Sequence, residues 1–123
     1  MIQEKIKNFT DLLVWQKAHE LSLEIYTCTK AFPKEEMFCL TSQMRRCSVS
    51  ITSNIAEGFG RYTSPDKKHF YIMASGSGSE LLNQLYLARD LAYISQDTCI
   101  KLTELLISIS KMLSSLIRAV ASS

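Results

Sequence analysis

The sequence predicts an all-α protein, an up-down-up-down antiparallel four-helix bundle. Four segments place apolar residues three and four positions apart, which is the spacing of one face of an α-helix. The connections between them are only a few residues long, which makes neighbouring helices antiparallel, and no two segments alternate as paired strands do. The predicted helices cover about residues 11–30, 34–58, 65–93 and 96–120.

The first helix, about residues 11–30, is predicted from an apolar stripe along its length. The stripe consists of Val14, Ala18, Leu21, Ile25 and Cys28. A second, partly polar flank consists of Trp15, Ser22 and Tyr26. A helix with such a stripe buries one side against its neighbours.

The second helix, about residues 34–58, is predicted to begin after Pro33, because proline and the acidic residues that follow it suit a first helical turn. Its stripe consists of Met37, Leu40, Met44, Cys47, Ile51 and Ile55. Residues 48–55 also alternate like a strand, but the helical spacing continues through them and a lone strand would have no partner. Gly58 and Gly60 are predicted to end the helix.

The third helix, about residues 65–93, is predicted to begin at a Ser-Pro pair with Ser64 as its N-cap. Its buried face is predicted to consist of Phe70, Ala74, Ser77, Leu81, Leu85, Ala88 and either Leu91 or Ala92. Gly76 and Gly78 lie in mid-helix, where each costs about 1 kcal/mol relative to alanine. We therefore expect a neighbouring helix to approach closely there, next to the polar residues of the second helix.

The fourth helix, about residues 96–120, is predicted to begin after Ser95, a candidate N-cap. Its seam consists of Cys99, Leu102, Leu106, Ile109, Leu113, Leu116 and Val120. Further apolar residues widen this seam beyond that of a two-stranded coiled coil, so we expect it to be buried against more than one helix.

The composition indicates one globular domain, residues 1–123. A hydrophobic fraction of 46% and a charged fraction of 21% are ordinary, and a chain of this length can bury a core without disulfides or metals. No apolar run is long enough to span a membrane, and the first residues do not have the pattern of a signal peptide. We therefore expect a cytoplasmic protein without a membrane partner.

The sequence contains little that supports catalysis or metal binding. A di-iron bundle needs two Glu-x-x-His pairs and two further carboxylates, whereas this chain offers only Asp66 and His69, beside two lysines. The four cysteines lack metal-ligand spacing and stand among apolar residues, so we expect buried, reduced thiols. We predict that the protein is not an enzyme and holds no metal or cofactor.

A polar stripe runs along the end of the second helix. Ser50, Asn54, Glu57 and Arg61 are spaced so that they share one side of a helix. Three interpretations stay open: a solvated face, a structural polar network, and a ligand site. A carboxylate, an amide and a guanidinium side by side can satisfy one another, which favours a network over a ligand site.

Basic residues flank the second loop and the middle of the second helix. Those that we predict to contact phosphate are Arg45, Arg46, Arg61, Lys67 and Lys68. Such side chains bind nucleic acid by releasing counterions from its phosphates, and the nearby Tyr62 and Tyr71 are able to stack on bases. The alternative is ordinary solubilising charge, because the net charge is only +2 and Glu57 and Asp66 are interleaved.

Five motifs distinguish the chain from a generic bundle. They are F-x-D-L-x-V-W-Q-K-A at residues 9–18, F-P-x-x-E at 32–36, L-x-x-Q-x-R-R at 40–46, S-I-x-x-N-I-A-E-G-x-G-R at 50–61 and A-x-G-S-x-x-E-L at 74–81. Together they resemble the small bacterial four-helix-bundle proteins first found encoded in intervening sequences of the large-subunit, 23S, ribosomal RNA gene. The resemblance covers about residues 9–94, and the chain departs from it at Cys39, Cys47 and Gly78.

The resemblance implies a left-handed bundle that assembles into a ring, a homopentamer in similar members. Related proteins are accessory factors of reverse transcriptases in diversity-generating elements, where a basic surface binds RNA. We predict that Glu80 joins Ser50, Asn54, Glu57 and Arg61 in a structural polar network at the second loop and the subunit contact.

Two functions follow as expectations. The first is a non-enzymatic oligomeric helical-bundle protein that binds RNA or a nucleoprotein through its basic surface. The alternative is a protein–protein interaction scaffold, or accessory subunit, with no direct nucleic-acid contact. In both, the first partner is another copy of the chain.

Overall fold

Four α-helices make up the computed structural model, which describes residues 5–121. They are α1, Leu13–Thr29; α2, Leu40–Phe59; α3, Ser64–Asp90; and α4, Gln96–Ala121. Consecutive helices pack antiparallel, α1 also packs against α4, and residues 5–121 contain no strand. The predicted up-down-up-down bundle is confirmed, and residues 48–55 are helical.

The core follows the predicted stripes on α1, α2 and α4. Its buried members on these helices include Val14, Ala18, Leu21, Ile25, Leu40, Met44, Cys47, Ile51, Ile55, Cys99, Leu102, Leu106, Ile109 and Leu113. Cys28, Leu116 and Val120 are only half-buried. Each fully buried leucine or isoleucine contributes about 1.5–3 kcal/mol, so this core is the main source of stability. No helix within residues 5–121 combines the length and the apolar character needed to cross a bilayer.

The buried face of α3 differs from the prediction at two positions. Tyr71 and Gly78 are buried where Phe70 and Ser77 were expected, and the last part of the predicted face is exposed. The remaining predicted positions are buried: Ala74, Leu81, Leu85 and Ala88. The spacing of apolar residues alone did not show which of two adjacent residues, Phe70 or Tyr71 and Ser77 or Gly78, faces the core.

Gly58 explains why Tyr71 enters the core. Gly58 is buried within α2, and a Cβ atom at this position would lie 2.7 Å from Cε1 of Tyr71. The missing side chain therefore makes room for the tyrosine ring. Gly78 is less demanding, since a Cβ there would meet Leu106 at an ordinary 3.5 Å, and a Cβ on Gly76 would meet nothing within 4 Å. The close helix approach expected at the two mid-helix glycines thus occurs at Gly58 instead.

The start of α2 is later than predicted. Residues Lys34–Glu36 form a 3₁₀ turn, and α2 begins only at Leu40. Cys39, with φ −121° and ψ −109°, lies outside the helical region and separates the two pieces. Met37 therefore does not join the buried stripe, and it is 47% exposed.

Glu36 holds this break in place. Its carboxylate accepts one hydrogen bond from the backbone N–H of Leu40 at 3.3 Å and another from the hydroxyl of Tyr93 at 2.9 Å. The first bond satisfies a free N–H of the first turn of α2, and the second ties the turn to the loop between α3 and α4.

The other helix ends differ slightly from the prediction. A 3₁₀ turn, Phe9–Asp11, precedes α1. Thr63, not Ser64, is the N-cap of α3, because its hydroxyl accepts a hydrogen bond from the N–H of Asp66. Ser95 caps α4 as predicted, accepting from the N–H of Thr98 at 3.1 Å.

The end of α3 contains a left-handed residue. Ala92 has φ 61°, its N–H bonds to the carbonyl of Arg89, and the N–H of Tyr93 bonds to the carbonyl of Ala88, both at 2.9 Å. This pair of bonds is a Schellman motif, whose left-handed position is usually glycine. The motif ends α3 at Asp90, before the predicted residue 93.

We expect Gly58→Ala to lower the free energy of unfolding by about 1–3 kcal/mol, because the new methyl group overlaps the Tyr71 ring. Urea denaturation followed by circular dichroism measures this change. Gly60→Ala is the matched control, since its nearest neighbour would lie at 3.7 Å, and it should change stability little. Equal effects of the two substitutions would contradict the proposed fit of Tyr71 against Gly58.

We expect Ala92→Gly to raise the free energy of unfolding by about 1 kcal/mol, because glycine adopts a left-handed conformation without a steric penalty. Ala88→Gly, at a buried position in the last turn of α3, should be destabilising. The same denaturation experiment compares the two, and a less stable Ala92→Gly protein would contradict the left-handed assignment.

Candidate nucleic-acid interface

The five predicted phosphate contacts form two separate groups. Arg45 and Arg46 lie in the first half of α2, whereas Arg61, Lys67 and Lys68 lie around the loop between α2 and α3. The two groups are roughly 24 Å apart along the axis of α2. They do not form one continuous basic patch.

The group at the α2–α3 loop is largely occupied by contacts within the chain. Nζ of Lys67 donates hydrogen bonds to the carbonyl of Phe59 at 2.7 Å and to that of Gly58 at 3.4 Å, so Lys67 caps the end of α2. Arg61 pairs with Glu57 at 3.4 Å, and its guanidinium lies 4.5 Å from the centre of the Phe70 ring.

The two arginines of α2 differ in their freedom. Nε of Arg45 donates to the hydroxyl of Thr29 at 2.9 Å, and its guanidinium lies 4.8 Å from the centre of the Tyr26 ring. Arg46 is exposed, and no carboxylate within residues 5–121 lies at ion-pair distance from it. The Arg45 side chain is therefore held against α1, whereas the exposed Arg46 side chain is not held by an ion pair within residues 5–121.

An open groove runs between α1 and the outer side of α2. We call it the α1–α2 groove, and its lining consists of Tyr26, Met37, Phe38, Thr41, Ser42, Arg45, Arg46, Val49, Ser50 and Ser53. Its volume is about 610 Å³, and two arginines are the only charged residues in the lining. Phe38 is 94% exposed and Tyr26 is 42% exposed. The groove thus combines aromatic faces with positive charge.

Sequence reasoning missed Phe38 and Tyr26 as site residues. The prediction placed Met37 on the core stripe of a continuous helix, and Phe38 received no role. The signal that was available is the charge pattern, because residues 37–56 contain two arginines and no acidic residue. A long stretch without acidic residues beside exposed aromatics favours contact with an anionic polymer.

The predicted polar network is divided into separate contacts. The hydroxyls of Ser50 and Ser77 lie 2.9 Å apart, and Nδ2 of Asn54 donates to the carbonyl of Ser50 at 2.8 Å and to its hydroxyl at 3.1 Å. Glu57 pairs instead with Arg61 on the exposed surface, where an ion pair contributes little to stability. The hydrogen bond between Ser50 and Ser77 stabilises the contact between α2 and α3.

Glu80 lies in a second groove, between α2 and α3, and contacts Cys47. The Sγ of Cys47 donates to the carbonyl of Ser77 at 2.9 Å and to the carboxylate of Glu80 at 3.5 Å. This α2–α3 groove has a volume of about 540 Å³ and is lined by Leu40, Gln43, Arg46, Cys47, Ser50, Ser77, Glu80, Asn83, Gln84 and Leu87. Within residues 5–121 Glu80 makes no hydrogen bond or ion pair with Asn54, Glu57 or Arg61, although the prediction grouped them.

The cysteines are free thiols, but not all of them are buried. Cys47 and Cys99 are buried, Cys28 is half-buried, and Cys39 is exposed, contrary to the expectation from its apolar neighbours. Burial, together with the Glu80 carboxylate, raises the pKa of the Cys47 thiol to about 12. Burial, together with Glu24, raises the pKa of the Cys28 thiol to about 11. In the part of the chain that the structure describes, no three His, Cys, Asp or Glu residues are grouped so as to hold a metal ion.

Comparison with known proteins gives a family and a fold. A family model described as 23S rRNA-intervening sequence protein matches residues 10–115. A solved structure of a protein of unknown function from the S23 ribosomal protein family of Bacteroides thetaiotaomicron is similar, with a TM-score of 0.80 and 24% identity. The match covers 86% of this chain and 96% of that chain, and at this identity it shows the fold alone. No curated protein matches the sequence.

We expect native protein at pH 8 to react quickly with iodoacetamide at Cys39 alone. The reactive form is the thiolate, and a thiol with a pKa of about 12 is ionised to roughly one part in ten thousand at this pH. Intact-mass spectrometry counts the adducts, and peptide mapping locates them. Cys39→Ser should remove the fast adduct, whereas denatured protein should react at every cysteine. Fast labelling of Cys47 in native protein would contradict its buried, hydrogen-bonded position.

Proposed function

The chain belongs to the 23S rRNA-intervening sequence protein family, and from the geometry of its α1–α2 groove we propose that it is a non-enzymatic protein that binds single-stranded RNA. One observation carries this proposal. The groove presents an almost fully exposed phenylalanine beside two arginines and has no acidic residue in its lining. Bases stack on exposed aromatic rings while arginines contact the phosphates between them.

The groove residues have different roles in this proposal. Phe38 is the stacking platform, because it is exposed to 94% and contributes nothing to the core. Arg46 is the phosphate contact, since it is exposed and none of the ion pairs formed within residues 5–121 includes it. Arg45 holds the Tyr26 ring in position through its contact at 4.8 Å and adds positive charge behind it. Unpaired RNA suits the groove, because its bases are free to leave their own stack.

The predicted phosphate contacts at the other end of α2 are not part of the groove. Lys67 is bonded to backbone carbonyls and Arg61 is paired with Glu57, so each retains less attraction for phosphate. Lys68 lies with them, away from Phe38. The proposal therefore reduces the predicted set of five to Arg46, supported by Arg45.

We further propose that the protein acts as a homo-oligomer, a ring of five copies as the family resemblance implies. Repeating the groove around a ring would let one RNA engage several copies, which raises the overall affinity without new contacts. The alternative is a scaffold without direct nucleic-acid contact. The apolar Met37 and Val49 in the same lining favour it, because they also suit an apolar segment of a protein partner.

Fluorescence anisotropy with a fluorescein-labelled twelve-nucleotide oligouridine tests the proposal. We expect binding that weakens steeply with salt, and a loss of about tenfold in affinity for Phe38→Ala, because stacking on an aromatic ring is worth 1–3 kcal/mol per base. Arg46→Ala should reduce the slope of log K against log salt by about 0.7, the value for one phosphate on a single strand.

Lys101→Ala, on the exposed side of α4, is the control with the same change in charge. It should leave the affinity and the salt slope nearly unchanged. Absence of binding at low salt, or equal effects of the Arg46 and Lys101 substitutions, would reject the RNA proposal in favour of the scaffold. Native mass spectrometry of the same samples counts the copies in each complex.

A further inference from the structure

One polar atom in the α2–α3 groove has no partner within the chain. Oε1 of Gln84 is buried, yet within residues 5–121 no group donates a hydrogen bond to it. Folding seldom leaves a buried carbonyl oxygen without a donor, because the oxygen loses its bonds to water and gains none in return. The Gln84 side chain as a whole is half-buried and lines an open groove, so a bound molecule is able to supply the donor.

A second glutamine stands opposite Gln84 across the groove. Cys47 of α2 lies 3.5 Å from Glu80 of α3, and both residues line the groove. Because the two helices are antiparallel, the next pair lies four residues back along α2 and four residues forward along α3. This register places Gln43 opposite Gln84. Neither glutamine side chain forms a hydrogen bond within residues 5–121, although the two amides could bond to each other.

Glu80 adds a second acceptor beside the Gln84 oxygen. The two residues are four positions apart on α3, so their side chains are neighbours on the helix surface. The Glu80 carboxylate accepts only from the Cys47 thiol, a weak donor, and none of the ion pairs within residues 5–121 includes it. A ligand that satisfies both acceptors must bring two N–H groups close together, and an amino group carries both on one nitrogen.

The α2–α3 groove adjoins the α1–α2 groove across α2. Arg46 lines both grooves, and Gln43 is its neighbour three residues earlier on the helix surface. A strand that has a phosphate bound at Arg46 is therefore able to place one base beside Gln43. The volume of about 540 Å³ has room for a single purine or pyrimidine.

The next pair of facing residues is apolar. Leu40 and Leu87 line the groove beyond the two glutamines, and Leu87 is 47% exposed. A flat ring packs its face on such side chains while its edge meets polar groups, which is how most small-molecule sites combine apolar contact with a few oriented hydrogen bonds.

We propose that the α2–α3 groove binds one base of the RNA and prefers amino bases, adenine and cytosine, over keto bases, guanine and uracil. The inference rests on the proposed RNA binding and adds a base preference to it. Adenine and cytosine present an exocyclic amino group where guanine and uracil present a carbonyl oxygen.

Each hydrogen bond of the amino base has a partner in the groove. One amino hydrogen bonds to Oε1 of Gln84 and the other to the Glu80 carboxylate, while the Gln43 amide donates to the adjacent ring nitrogen. A carbonyl oxygen in the same place would face two acceptors and leave both without a donor. The discrimination therefore comes from acceptors that only an amino group satisfies.

Four fluorescein-labelled twelve-nucleotide strands test the preference. Each is oligouridine with one central base, which is uracil, cytosine, adenine or hypoxanthine. Hypoxanthine is adenine with a carbonyl oxygen in place of the amino group, so the size of the ring does not change. We expect cytosine to bind about fivefold or more tighter than uracil, and adenine tighter than hypoxanthine by the same factor, in fluorescence anisotropy at one salt concentration.

Gln84→Leu keeps the bulk of the side chain and removes the amide. We expect this variant to lose the preference for amino bases but to keep the affinity for oligouridine within about twofold, because uracil makes little use of the groove. Gln96→Leu, at an exposed position in the first turn of α4, removes an amide elsewhere and should leave the preference intact. Phe38→Ala should weaken all four strands alike, and circular dichroism confirms the fold of each variant.

The outcomes separate this inference from the proposed function. Equal affinities for the amino and keto strands would overturn the base preference and leave RNA binding, which oligouridine tests by itself, in place. A preference that persists in Gln84→Leu would overturn the assignment to the α2–α3 groove.

If oligouridine does not bind, the proposed function fails and the groove is tested without a strand. Saturation-transfer NMR with millimolar adenosine and millimolar inosine then compares the two nucleosides directly. A stronger transfer to adenosine that disappears in Gln84→Leu supports the amino-base site, and equal transfer to both nucleosides overturns it.

Discussion

The contact between α2 and α3 positions the other surfaces of this bundle. At the C-terminal end of α2, Gly58 makes room for the Tyr71 ring, and Nζ of Lys67 donates hydrogen bonds to the carbonyls of Gly58 and Phe59. Further along, the hydroxyls of Ser50 and Ser77 meet at 2.9 Å. Because this contact fixes which side of α2 faces α3, it also leaves Arg46 exposed on the surface of the bundle.

The helices were predictable because burial in a bundle repeats with the period of the helix. The stripe from Leu40 to Ile55 shows that period clearly, even through the β-branched residues that resemble a strand. The break before Leu40 was not predictable in the same way. It depends on a hydrogen bond from Tyr93 to Glu36, two residues 57 positions apart, and the signals that start a 3₁₀ turn are the same as those that start an α-helix.

The candidate site was predictable only in part, because residue type does not say which charges are already used. In the sequence, Arg46 and Lys67 are both basic residues of predicted helices, and nothing there shows whether their charges already have partners. The structure separates them, since Lys67 is bound to carbonyls of α2 while Arg46 faces solvent. Phe38 was missed for a related reason. Its exposure follows from where α2 begins, and that boundary was predicted several residues too early.

The even number of helices has a practical consequence for handling the molecule. The chain returns to the end where it started, so the first turn of α1 and the last turns of α4 lie side by side, with Leu13 near Met112 and Leu116. Phe38 stands towards the other end, beside the loop that joins α1 to α2. A fluorophore attached where α1 begins, at the exposed Leu13, is therefore at the opposite end of the bundle from Phe38, and it reports on binding there without occupying the site.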